Sequence, residues 1–287
     1  MQPKSMHPDP RERLQGRSAD GSREPVRIIE HPDVRKMLLT GQALTKAGRA
    51  LAVFTALQMD VAERHPDQDR RRKAEGLVAL LTPVVKAAFT DFGFEITVQS
   101  QHVFGGHGYI REWGMEQYVR DARIAQIYEG TNGVQAMDLV SRKLPLEDGA
   151  VARGFFDLMR ADIVRAKGVP QFDSTIQAVE GALGRLEKLT DELVAKRGDA
   201  VELGASATDY LGFVALVSFA WMWVRMAASC DRDTSAKPHC RSISALARFF
   251  AARVLPQTQA LDAAIHSGAT ETMALADELL RADQSRR

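Results

Sequence analysis

Residues 70–103, RRRKAEGLVALLTPVVKAAFTDFGFEITVQSQHV, decide the fold class. Leu77, Leu80, Leu81, Val84, Val85, Ala88 and Phe92 recur at helical spacing, so one face of a long helix is apolar. Pro83 falls inside this stretch and should kink or locally adjust the helix. Upstream, His31-Pro32-Asp33 opens a second pattern over 31–62, with Val34, Met37, Leu38, Gly41, Leu44 and Gly48 at the same spacing. A polar loop near 65–69 joins the two, which are therefore expected as antiparallel neighbours in a bundle. Strand patterns are scarce throughout. The expected class is all-α: an antiparallel helical bundle over 31–144 and a further helical layer over 150–287.

Outward from that pair, 145–149 (PLEDG) reads as a boundary. Helices are expected beyond it at about 151–167, 171–197, 205–229, 238–253 and 255–284, broken at Pro170, Gly204, Pro238 and Pro256. Residues 1–30 are polar, with several Pro and Gly, and should be only partly ordered. They lack the apolar core of a secretory signal. The 287 residues carry a formal net charge of +1, so neither nucleic acid nor an anionic membrane is indicated as a partner. The most apolar run, 211–224, is short for a bilayer and ends at Arg225; it reads as a buried core helix rather than a membrane span. Cys230 and Cys240 form no C-x-x-C pair, and a reduced, cytoplasmic setting suits them better than a disulfide framework. No metal-ligand pattern stands out.

The chemistry concentrates in 99–143. Phe104-Gly105-Gly106-His107-Gly108-Tyr109 is a glycine-rich loop, read either as a ligand approach or as a tight interhelical turn. Arg120-Asp121-Ala122-Arg123-Ile124 is a charged helix face, which surface ion pairs would explain. Ile127-Tyr128-Glu129-Gly130-Thr131-Asn132 sets a carboxylate between an aromatic and a glycine just before a helix over 132–143. Taken alone, that turn reads as capping, with Asn132 and Gln135 at capping-box spacing and Glu129 near the positive helix end.

In this order, the three parts resemble the C-terminal signature of the acyl-CoA dehydrogenase family. Glu12-Arg13-Leu14-Gln15-Gly16-Arg17 resembles the Arg-containing stretch before the paired helices of that family's last domain. The run from Ile29 to Leu39, IEHPDVRKMLL, looks like a larger-subunit branch, whose extra helical extension 150–287 would be. The resemblance covers about 11–143 on specific motifs and is weaker beyond.

The resemblance implies FAD as cofactor, an acyl-CoA thioester as substrate, and an electron-transfer flavoprotein or similar acceptor. Members remove a proton from the carbon next to the thioester carbonyl while a hydride leaves the next carbon for the flavin. A carboxylate can take that proton where desolvation favours its neutral form. By the resemblance, Glu129 is that base, and its own N–H hydrogen-bonds the thioester oxygen. Tyr128 shapes the acyl pocket, Gly130 gives the turn room beside the flavin, and Thr131 contacts the cofactor. Arg13, Gln15, His102, Gly105 and Gly106 are implied on the cofactor held across a subunit interface, so a homodimer or tetramer is expected. One departure is His102, where the family usually has Gln; Gln101 stands beside it. Arg120 and Asp121 are expected to pair and fix the loop. The family's N-terminal helical domain and middle β-barrel have no counterpart in residues 1–30, so a partial or split enzyme is expected. A non-catalytic helical oligomerisation module and an acyl-CoA oxidase stay open beside the dehydrogenase reading.

Overall fold

The computed structural model describes residues 27–167, 172–232 and 238–274, and every described element is helical. A 3₁₀ turn at Ile28–Glu30 leads into α1, Pro32–Arg64, with Pro32 at its first turn, where its missing N–H costs nothing. Asp67 caps α2, Gln68–Val103, by accepting the Asp69 and Arg70 N–H groups at 2.9 and 3.2 Å. Those two bonds, that from the Arg70 N–H first, hold the Asp67 carboxyl below its ordinary range. α2 runs continuously past Pro83, which is buried.

The glycine-rich stretch becomes one helical turn, α3 (Gly106–Tyr109), and a 3₁₀ turn at Arg111–Trp113. α4 (Met115–Ala125) then packs back along α2, while α5 (Asn132–Asp138) passes into a π-helical turn at Leu139–Lys143. The turn at Leu146–Gly149 places Glu147, Asp148 and Gly149 at φ of 50°, 55° and 80°. Beyond it come α6 (Ala150–Ala166), α7 (Asp173–Ala195), α8 (Ala200–Arg232), α9 (Pro238–Arg253), α10 (Gln257–Ser267) and α11 (Thr270–Met273).

The central element is α8, which touches α1, α2, α5, α6, α7, α9 and α10. Its residues from Tyr210 to Val224 are almost all buried, as the run's uniform apolarity requires of a core helix. By length and composition α2 and α8 could each cross a membrane, but 78% of the apolar window of α8 is buried inside the protein. Phe219 meets Phe89 and Phe92 of α2 at 6.2 and 5.3 Å between ring centroids. Trp221 meets Phe54 of α1 and Phe155 of α6 edge-on at 4.9 and 5.6 Å. One cluster of buried side chains therefore runs continuously from α1 to α10. Inside it, the Tyr210 hydroxyl shares a 2.7 Å bond with Thr190, and burial pushes its phenol above the ordinary value.

Three local expectations change. The helix expected from 205 begins at Ala200 and passes through Gly204, because Asp199 accepts the Val201 and Glu202 N–H groups at 3.1 and 3.0 Å. The single helix expected over 255–284 stops at Gly268, whose φ of 65° suits glycine. There the Glu202 carboxylate accepts the Ala269 N–H at 3.0 Å, a bond that, with Lys196, holds this carboxyl below its ordinary range. Residues beyond 274 lie outside the described ones. Cys230 and Cys240, expected as free thiols, are joined by a disulfide with Cα atoms 5.3 Å apart. They sit at the end of α8 and the start of α9, and α9 packs back on α8, which brings a pair ten residues apart together.

Candidate active site

The turn carrying Tyr128, Glu129 and Gly130 sits between α4 and α5, over the middle of α2. Glu129 and Gly130 adopt left-handed backbone with φ of 57° and 79°. For glutamate that conformation costs about 1 kcal/mol or more and persists only where its surroundings hold it. Here they do. The half-buried Lys86 of α2 donates to the Gly130 carbonyl at 2.8 Å and to Asn132 Oδ1 at 2.7 Å. Asn132 Nδ2 donates to Asp91 Oδ1 at 2.6 Å, which also accepts from Gln126 at 2.7 Å. Gln135 Nε2 donates to the Glu129 carbonyl at 3.0 Å, and the Asn132 N–H closes the turn on the Gln126 carbonyl at 3.3 Å.

Capping of α5 falls to Thr131, whose hydroxyl accepts the Val134 N–H at 3.4 Å, and not to Asn132 as the spacing suggested. Asn132 instead ties the turn to α2. The Glu129 carboxylate accepts no hydrogen bond among the described residues, and no acceptor there faces its N–H. Its side chain is exposed, and Tyr128 is 55% exposed beside it. The base candidate is thus held by its carbonyl side while its two chemically active groups stay open.

The other predicted residues lie elsewhere. His102, at the end of α2, and Gly105 and Gly106, just past it, are exposed. Sixteen residues of α2 separate His102 from Lys86, roughly 24 Å along the helix axis. One copy therefore does not gather Thr131 and the glycine loop at one point. Gly105 has φ of 59°, and a Cβ at Gly105 or Gly106 would meet nothing within 4 Å, so their backbone is open to close approach. Gly108 is different: a Cβ would lie 2.5 Å from the Gln101 carbonyl oxygen, so this glycine is needed for packing. Gln101 donates its amide to the Gly108 carbonyl at 3.1 Å, and the neighbouring His102 is the side chain left exposed. Arg13 and Gln15 lie outside the described residues.

Arg120 and Asp121 do not pair. Asp121 accepts from Gln117 at 2.7 Å, and the turn is fixed instead by Lys86, Asp91, Gln126, Asn132 and Gln135. Lys86 and Asp91 escaped the sequence reading, although charged groups interrupting the apolar pattern of 80–92 are the signal that could have found them. Among the described residues no His, Cys, Asp and Glu cluster could hold a metal ion.

Comparisons with known proteins agree along nearly the whole chain. Residues 12–144 match the family described as "Acyl-CoA dehydrogenase, C-terminal domain", and residues 155–276 the family described as "Acetyl-CoA dehydrogenase C-terminal like". A 3-methylmercaptopropionyl-CoA dehydrogenase of Ruegeria pomeroyi is 34% identical over 278 residues, covering 95% of this chain and 46% of that protein. The broad-specificity linear acyl-CoA dehydrogenase FadE5 of Mycobacterium tuberculosis is 30% identical over 246 residues, covering 80% of this chain and 40% of that protein. The crystal structure of Caenorhabditis elegans ACDH-11 in complex with C11-CoA shares the fold, with a TM-score of 0.62 at 21% identity over 73% of this chain and 34% of that one. The chain spans less than half the length of these relatives. Its two matched regions, its all-helical fold and the order of its motifs place it in the acyl-CoA dehydrogenase family, of which it carries the C-terminal helical portion.

Proposed function

We propose that this chain supplies the catalytic base for FAD-dependent α,β-dehydrogenation of an acyl-CoA thioester. The observation that carries this reading is the state of Glu129: a carboxylate and an N–H both without partners among the described residues, on a turn locked from beneath by Lys86 and Gln135. A capping carboxylate would instead be bonded to the first N–H groups of α5.

The Glu129 carboxylate takes the α-proton, and the Glu129 N–H donates to the thioester oxygen as negative charge develops there. Tyr128 presents an aromatic edge beside the reacting carbons. Gly130, with no side chain and φ of 79°, leaves room next to the turn. When bound, FAD supplies the hydride acceptor. The residues present suit one flank of it: Gly105 and Gly106 offer open backbone, His102 an exposed ring, and Thr131 an exposed side chain. Their separation along α2 favours a cofactor shared between two copies. An electron-transfer flavoprotein or similar acceptor belongs to the same proposal, as does a cytoplasmic setting, where a Cys230–Cys240 bond would form only transiently. The test is formation of 2-enoyl-CoA from a saturated acyl-CoA by the flavin-loaded assembly containing this chain; no product with any chain length would remove the proposal.

Two expected results follow from this arrangement. Lys86→Met removes the two bonds from Lys86 to the Gly130 carbonyl and Asn132, loosening the turn while Glu129 itself is unsubstituted. The rate of α-proton removal should fall about 100-fold, the scale of a 1 Å misplacement, with Lys86→Arg recovering part of it. Single-turnover kinetics with circular dichroism as a folding control would read this. The chain should also self-associate. Tyr109 is 82% exposed and Tyr118 65%, and Val53 and Leu57 are exposed on α1, apolar side chains that a second copy would cover. Sedimentation at tens of micromolar should show a dimer or larger, and a clean monomer would count against it.

A further inference from the structure

Far from the Glu129 turn, α1, α2 and α6 enclose a half-open groove of about 610 Å³, within the range of ligand sites. Its α2 lining residue nearest that turn, Leu77, lies nine residues before Lys86, roughly 14 Å away along α2. Its floor is apolar, formed by Val61, Leu77, Phe155 and Leu158. The helices forming its walls touch closely at Gly76, where a Cβ would lie 3.0 Å from Val151. At Gly154 of α6 the groove is open, and a Cβ would meet nothing within 4 Å.

The rim is charged. Arg72 is tied to Glu147 at 2.9 Å, but Arg70 and Lys73 make no ion pair among the described residues. One unpaired carboxylate, Asp69, faces them. Both cations stand near the start of α2, whose positive end is already capped by the Asp67 carboxylate. An apolar trough under a cationic lip selects for a molecule with an apolar body and one anionic head. Ion pairs this exposed contribute little alone, so the trough must supply affinity and the lip orientation.

We propose that this groove binds a medium- or long-chain fatty acid, with its tail along Leu77, Phe155 and Leu158 and its carboxylate between Arg70 and Lys73. The site is separate from Glu129, and the proposal stands whether or not that residue is the base.

The experiment is calorimetric titration of the 287-residue protein with laurate, and in parallel with 1-dodecanol. Saturable one-to-one binding of laurate is expected, tighter than of the alcohol. Gly154→Phe, which fills the mouth, should weaken laurate binding at least about tenfold, whereas Gly154→Ala should bind as the unmodified chain does. Reversing both lip charges, with Arg70→Glu and Lys73→Glu, should weaken laurate by about tenfold or more and leave dodecanol unchanged. Circular dichroism and thermal midpoints verify folding of each variant. Absence of saturable laurate binding, or equal affinity for laurate and dodecanol, would overturn the proposal. So would undiminished binding in folded Gly154→Phe, or laurate that binds only by dissociating a dimer, since the groove would then belong to a second copy.

Discussion

Glu129→Gln is expected to lower acyl-CoA oxidation by about two to four orders of magnitude, the range for loss of a general base. The substitution keeps the size of the side chain and the backbone N–H. It also keeps the bonds that hold the turn, because these use the Glu129 and Gly130 carbonyls and the side chains of Lys86, Asn132 and Gln135. Acyl-CoA affinity and circular dichroism should therefore stay close to those of the unmodified protein. Loss of both rate and binding would mean that the side chain acts on the structure of the turn.

The second large effect is on stability. Trp221→Ala should destabilise the fold by about 3–5 kcal/mol, the usual cost of deleting a buried large aromatic. Trp221 is fully buried on α8 and packs edge-on against Phe54 of α1 and Phe155 of α6. Arg225 stacks over both the Phe54 and Trp221 rings at 5.1 and 5.2 Å. The indole N–H donates to Asp162 at 2.8 Å, so its removal also costs a largely buried carboxylate one donor, with Arg165 remaining on its other oxygen at 2.8 Å. Trp221→Phe, which keeps a ring but loses that bond, should cost less, about 1–3 kcal/mol. Urea unfolding followed by circular dichroism measures both; a loss below about 1 kcal/mol for Trp221→Ala would show that this contact does not knit α1, α6 and α8 together.

The long helices were legible because their apolar faces repeat over many turns. α1 and α2 appear within a few residues of where the spacing of Leu44, Gly48, Leu77 and Leu81 places them. The buried run of α8 was equally plain. Less legible were features set by one side chain against a distant backbone. Gly204 looks like a break, yet Asp199 starts the helix earlier and the tertiary environment of α8 carries it through. Gly268 ends α10 where no proline marks a stop, with Glu202 closing the turn from 67 positions away. Cys230 and Cys240 meet only because α9 folds back on α8.

The same limit applies to the candidate site. Glu129, Tyr128 and Gly130 carry a local motif that can be read in order. Lys86 and Asp91 lie 35 to 46 positions upstream of the residues they hold, and a single sequence gives no measure of that pairing. Arg120 and Asp121, adjacent and of opposite charge, look like a pair, but neighbouring positions on a helix point apart, and Asp121 turns to Gln117 one turn earlier.

Anaerobic flavin bleaching on addition of acyl-CoA tests the account most directly. It is measured on the flavin-loaded assembly containing this chain, once unmodified and once with Glu129→Gln, because it isolates the step that begins with α-proton removal. The expected result is rapid loss of the oxidised-flavin absorbance in the unmodified protein and none on the same timescale in the variant, with acyl-CoA still bound in both. Bleaching of Glu129→Gln at the unmodified rate would contradict the assignment of Glu129 as the base.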